Sequence, residues 1–236
     1  MIWIIILMTF LAGIVQGMTG FGASIVMMMA FPSFFVLTKA AGISTAICLF
    51  LNITNVYLYR KYVNFKTILP PTLLYICTCS IVIEMSTKLD GAMMKKVFGV
   101  FLIILGIYYL FLNKADKKEL SLGVSLICIV VSAICDGLFG IGGPLMVLYY
   151  LSKTKGTHEY IGTISTFFCI NCIYNTIFRV IRGIITIDLF PYIALGVVCI
   201  ITGGIIAHKI VDKLNPELLK KLTYVMIVIA GIANII

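Results

Sequence analysis

Residues 136–151, DGLFGIGGPLMVLYYL, set an aspartate, four glycines within seven residues and a proline ahead of an apolar run. A related stretch, QGMTGFGASIVMMMAF, occupies 16–31. Glycine in a helix interior costs about 1 kcal/mol relative to alanine, and it permits backbone angles closed to other residues. Both stretches therefore read as interruptions of a helix, and both lie in long uncharged surroundings. As one straight helix, residues 2–37 would be roughly 54 Å long, against a hydrocarbon core of roughly 30 Å. The glycines are the natural place for such a run to break.

Working outward, 61% of the chain is hydrophobic, 11% is charged, and the mean hydropathy is +1.14. A soluble domain carries roughly a quarter charged residues. No charge occurs from Met1 to Thr38, and uncharged runs follow at 40–59, 67–83, 97–113, 120–135, 137–152, 160–178, 189–207 and 222–236. Runs of this kind match the ~20 residues a helix needs to cross a bilayer. The chain reads as an all-α polytopic membrane protein with about eight hydrophobic elements. The first run has no basic leader and no A-x-A-like site, so it is expected to stay as structure and not be cleaved. No stretch outside the membrane exceeds about a dozen residues, which leaves no room for a soluble catalytic or nucleic-acid domain. The net charge of +9 reads as loop lysine and arginine at a cytoplasmic face, in a multi-pass protein of the cytoplasmic membrane. All eight cysteines sit in apolar runs, where they act as small hydrophobes, and neither a metal nor a cofactor is expected.

Sliding the chain by 120 residues places Gly17, Gly20 and Gly22 on Gly137, Gly140 and Gly142, Gly42 on Gly162, and Asn55 on Asn175. With small adjustments Arg60 falls on Arg182, Asp90 on Asp212, Lys95-Lys96 on Lys220-Lys221, and Gly106 on Gly231. Matches in chain order argue for a duplication. The expected halves are residues 1–115 and 116–236, each one glycine-broken element plus three transmembrane helices. A broken element can re-enter and leave by the same face, or cross as a kinked helix. If all elements cross, the basic residues divide eight against ten between the faces. If each first element is re-entrant, Lys39, Lys88, Lys95, Lys96, Arg179 and Arg182 share one face and the other twelve share the opposite one. The second count fits positive-inside behaviour better. It also gives three crossings per half, hence inverted repeats.

Unpaired backbone inside a bilayer survives only when buried in protein or lining a polar cavity. Broken helices of secondary transporters use it, aiming half-helix N-termini at an anion near mid-membrane. Ser24 can cap the helix after Gly22, and Pro144 suits the first turn after Gly142. The alternative is that the glycines merely allow close helix packing. The motifs G-x-x-G-x-G at 17–22 and G-x-x-G-x-G-G-P at 137–144, one opening each repeat, resemble the TauE/SafE family of sulfite-exporter-like permeases. The resemblance implies a secondary carrier of sulfur-containing anions such as sulfite or organosulfonates. Ala23 and Ser24 stand where the second copy has Gly143 and Pro144, a departure from the fuller pattern.

The residues expected to line a substrate site are Gly17, Gly20, Gly22, Ser24, Asn55, Gly137, Gly140, Gly142, Gly143 and Asn175. Asp136, an acid at helix depth, is the candidate for proton coupling; a purely structural role, accepting hydrogen bonds from the broken backbone, competes with that reading. Its repeat partner is the neutral Gln16. Asn52/Asn55 and Asn171/Asn175 are spaced to share a helix face, as donors to an oxyanion or as clasps between helices. Thr19, Thr45, Ser165 and Thr166 offer hydroxyls. Arg179 and Arg182 suit two oxygens of a sulfonate, but their place at the end of an apolar run favours interfacial anchors, and Glu84 reads as an i,i+4 partner of Lys88. No G-x-x-x-x-G-K-[ST] occurs, so ATP use is not expected. A carrier of a non-sulfur anion such as a carboxylate is the alternative. An intramembrane enzyme is a remoter one, since a membrane aspartyl protease needs two facing acids. The expected partners are a small anionic solute and the lipid bilayer, with no nucleic acid; a homo-oligomer is compatible with the sequence.

Overall fold

The computed structural model describes residues 1–107 and 120–210, with residues 228 and 232. Among the described residues it is helical throughout: α1 (Ile2–Thr19), α2 (Ala23–Met28), α3 (Leu37–Tyr59), α4 (Phe65–Ser86), α5 (Gly91–Ile107), α6 (Leu122–Phe139), α7 (Gly143–Lys153), α8 (Thr157–Ile181) and α9 (Phe190–Ile210). Six of the described helical stretches are long and apolar enough to cross a membrane. Their outer faces carry bare apolar side chains, with Trp3 82% and Leu122 78% exposed, which only a lipid surround accommodates. The boundary expected at 115/116, the last apolar run, and the matches at Asp212, Lys220, Lys221 and Gly231 lie outside the described residues.

Side-chain contacts give the helix directions. Tyr59, at the end of α3, stacks on His158 at the start of α8, with ring centroids 5.7 Å apart. At the other end Arg179 Nη1 reaches the carbonyl of Thr38, near the start of α3, at 3.5 Å. Helices α3 and α8 are thus antiparallel. Midway, Asn52 Nδ2 points at Cys172 Sγ across 3.7 Å, two positions 120 residues apart in sequence.

Helix α1 runs with α3: Thr9 and Ile47 both press on Gly196, and Gln16 bonds to Asn52. The chain between them therefore comes back, through α2 and a short 3-10 turn at Phe31–Ser33. Helix α6 ends beside Arg179, since Arg179 Nη2 reaches the carbonyl of Gly137 at 3.0 Å. Its 18 residues, about 27 Å of helix, extend back toward the face where α8 begins. Helix α7 then returns the chain to that face, with Tyr150 against Phe167 of α8. Each broken element is a hairpin open to one face, and the two hairpins open to opposite faces.

The halves interlock. Helix α1 packs on α9 so closely that a Cβ on Gly13 would strike the carbonyl of Ile200, and one on Gly203 would strike that of Phe10. Small residues permit such contact, and in lipid that contact replaces hydrophobic burial as the force between helices. Helix α6 meets α4 in the corresponding place, with Gly137 against Val82 and Cys79. On the face where α3 begins, Glu84 pairs with Arg182 at 2.9 Å, in place of the pairing with Lys88 expected from spacing.

Candidate functional site

Both helix breaks are built alike. Gly20 (φ 78°) and Gly140 (φ 68°) take the left-handed conformation that ends α1 and α6. Their N–H groups donate back to the carbonyls of Gln16 and Asp136, each at 2.8 Å. A residue with a Cβ is strained there, so glycine is the natural occupant. Gln16 and Asp136 therefore stand at matching places, one turn before each break.

The two breaks differ in what they do with the new helix start. Gln16 Oε1 accepts from the N–H of Ala23 at 3.3 Å, while its amide nitrogen donates to Asn52 Oδ1 at 2.8 Å. The first N–H of α2 is thus satisfied internally. At the second, Asp136 Oδ2 accepts from Asn175 Nδ2 at 2.8 Å and from Cys79 Sγ at 3.8 Å. Pro144 occupies the first turn of α7, where its missing N–H costs nothing. The phenolic oxygen of Tyr75 sits where a Cβ on Gly142 would lie, with the Cβ of Asp136 on the other side of the same spot.

Between these breaks lies a small cavity of about 30 Å³. The first half contributes Gln16, Phe21, Gly22, Ser24, Thr45, Cys48 and Asn52; the second contributes Asp136, Ile141, Gly142, Gly143, Phe168, Asn171 and Cys172. Gln16/Asp136, Phe21/Ile141, Gly22/Gly142 and Asn52/Cys172 are pairs separated by 120 residues, so the cavity is lined by matching positions. It sits at the level of Cys48 and Asn52, near the middle of α3.

Of the residues singled out in the sequence, Gly22, Ser24, Asp136, Gly142 and Gly143 line the cavity. Gly20 and Gly140 form the turns behind it. Gly17 and Gly137 serve close packing, against Gly204 and Ala207 and against α4 respectively. Asn175 holds the carboxylate of Asp136 from behind, and Asn55 is fully buried on α3. Thr45, Asn52 and Asn171, considered as hydroxyl and amide donors, also reach the cavity, and so does Gln16, which was read only as the repeat partner of Asp136.

Arg179 departs from expectation. It is no interfacial anchor: its side chain is fully buried. Its guanidinium donates to the carbonyls of Asp136 at 3.1 Å and Gly137 at 3.0 Å, in the last turn of α6. Hydropathy could not show this, because an arginine at the end of an apolar run reads the same whether it snorkels out or turns inward.

The model for the sulfite exporter TauE/SafE family matches residues 5–234, nearly the whole chain. The chain belongs to the TauE/SafE family. A relative from Methanocaldococcus jannaschii, named a probable membrane transporter protein, is 37% identical over 70 residues. That match covers 28% of this chain and 26% of the relative, about a quarter of the relative's length. No solved structure matches. This TauE/SafE chain is a multi-pass membrane protein.

Proposed function

We propose that the chain is a secondary carrier of small sulfur-containing oxyanions, such as sulfite or organosulfonates, in the cytoplasmic membrane. It works by alternating access between two inverted halves. The observation that carries this reading is the central cavity, lined at matching positions by both helix breaks. The first amides of α7, the hydroxyl of Ser24 and the positive end of the α7 dipole suit sulfur-bound oxygens. Buried Arg179 adds a positive charge at the end of α6, bonded to the backbone of Asp136.

Asp136 carries the coupling proton. Ionised, it already places a negative charge at the mouth of α7, which opposes a second anion. Protonated, it leaves that helix end to the solute. Gln16, neutral at the matching place, supplies no such switch, so one proton accompanies one anion. With one proton carried per singly charged anion no net charge crosses, so the proton gradient, not the membrane potential, drives accumulation. A cavity of about 30 Å³ holds only a few waters, so a larger anion enters as the halves part.

Purified protein in sealed liposomes tests the reading by counterflow with sulfite, sulfate, thiosulfate, sulfonates and unrelated carboxylates. Saturable exchange of sulfite or sulfonates, with carboxylates excluded, is expected. Exchange of carboxylates alone replaces the sulfur assignment, and turnover of a substrate without flux of any solute overturns the carrier.

A further inference from the structure

A second cavity lies beyond the first, toward the face where α8 begins. Its volume is about 280 Å³, and its lining includes Met18, Thr19, Thr154, Lys155, Thr157 and Tyr160. The partition between the two cavities is the turn at residues 19–22. Thr19 lines the outer cavity, and Phe21 and Gly22 line the inner one.

The ring of Phe21 lies over the first turn of α7: a Cβ built on Gly143 would stand 3.3 Å from its Cδ2. Phe21 is flanked by two glycines in the left-handed region, Gly20 at φ 78° and Gly22 at φ 97°. Its carbonyl accepts from the Thr19 hydroxyl at 2.7 Å. On the opposite face the matching turn is shut. A Cβ on Gly140 would approach the Ala41 backbone to 3.1 Å, and Arg179 ties α8 to Thr38.

We propose that the outer cavity is the vestibule through which the anion reaches the inner site, and that Phe21 is the gate between them. This rests on the carrier reading above and extends it to a route and a size limit. Lys155 at the vestibule offers a positive charge that raises the local concentration of anions. The nearby acid, Glu159, is held in structure, accepting from Asn64 Nδ2 at 3.3 Å and from the N–H of Lys155 at 3.0 Å. With no Cβ on either side, the segment carrying Phe21 can swing at little steric cost. While the ring stays in place, it covers the start of α7 and divides vestibule from site. Its bulk then sets the largest solute that passes.

Cys48 and Cys172 line the inner cavity beyond Phe21 and serve as native reporters. The probe is a methanethiosulfonate bearing a sulfonate group, added to vesicles of either orientation, with labelling read by peptide mass spectrometry. Slow labelling is expected from the face of Lys155, which Phe21 guards; labelling from the face of Lys39 depends on the halves rocking and is not limited by Phe21. Phe21→Ala should speed labelling by about tenfold, a barrier change near 1.4 kcal/mol. Phe21→Trp, which keeps an aromatic in place should the alanine variant fail to fold, should slow it several-fold. Native rates from the Lys155 face in both variants, or an equal change in rate from the Lys39 face, overturn the gate. Labelling does not depend on which anion is carried. A negative sulfite counterflow with this labelling pattern intact would therefore strike the substrate reading alone.

Discussion

At the scale of single residues, Asp136 and Gly142 carry the most information. Asp136 is lodged beside a helix break with an asparagine as its hydrogen-bond donor. Asp136→Asn keeps the shape and removes the proton. With one proton per anion, a pH gradient of one unit, acid outside, should drive up to about tenfold accumulation in the native protein. Asp136→Asn should lose that accumulation and retain downhill exchange, measured by solute uptake into proteoliposomes with and without the gradient. Accumulation that survives in the variant would remove Asp136 from coupling. Gly142 has no room for a Cβ because the Tyr75 hydroxyl fills the place. Gly142→Ala should cost about 1–3 kcal/mol by overpacking. Tyr75→Phe in the same chain should restore part of that loss, a coupling of about 1 kcal/mol in a double-mutant cycle on detergent-solubilised protein. Strict additivity would show that the two groups do not compete for the same space.

At the scale of elements, each hairpin needs its unpaired helix end satisfied inside the bilayer, where an orphaned carbonyl costs several kcal/mol. Arg179 answers that need for α6 and links it to the start of α3. Arg179→Gln shortens the reach and removes the charge, so thermal unfolding in detergent should show a loss of about 2–4 kcal/mol. An unchanged midpoint would mean that water serves those carbonyls equally well. The breaks themselves were legible in the sequence, since overlong apolar runs and clustered glycines declare an interruption. That α2 has only six residues was not legible. An uncharged run gives no mark where a hairpin turns, apart from Pro32 in the 3-10 turn that follows. Nor was the pairing of Glu84 with Arg182 readable, because i,i+4 spacing favours Lys88 and contact between α4 and α8 is a tertiary fact. Gln16 was seen as the partner of Asp136, but its grip on the N–H of Ala23 depends on how tightly the hairpin closes.

At the scale of the whole molecule, the halves cross over each other. Helix α1 docks on α9 and α6 on α4, while α3 and α8 run antiparallel through the centre. A rocking motion can then open one hairpin as it closes the other, with the cavity staying at the level of Cys48 and Asn52. The central claim is that both breaks serve one anion site. Counterflow of labelled sulfite or sulfonate, measured separately for Gly22→Leu and Gly142→Leu in protein shown to be inserted and monodisperse, tests it most directly. The account predicts that each substitution alone abolishes exchange. Full exchange in either variant would mean that one hairpin does not take part, and would contradict it.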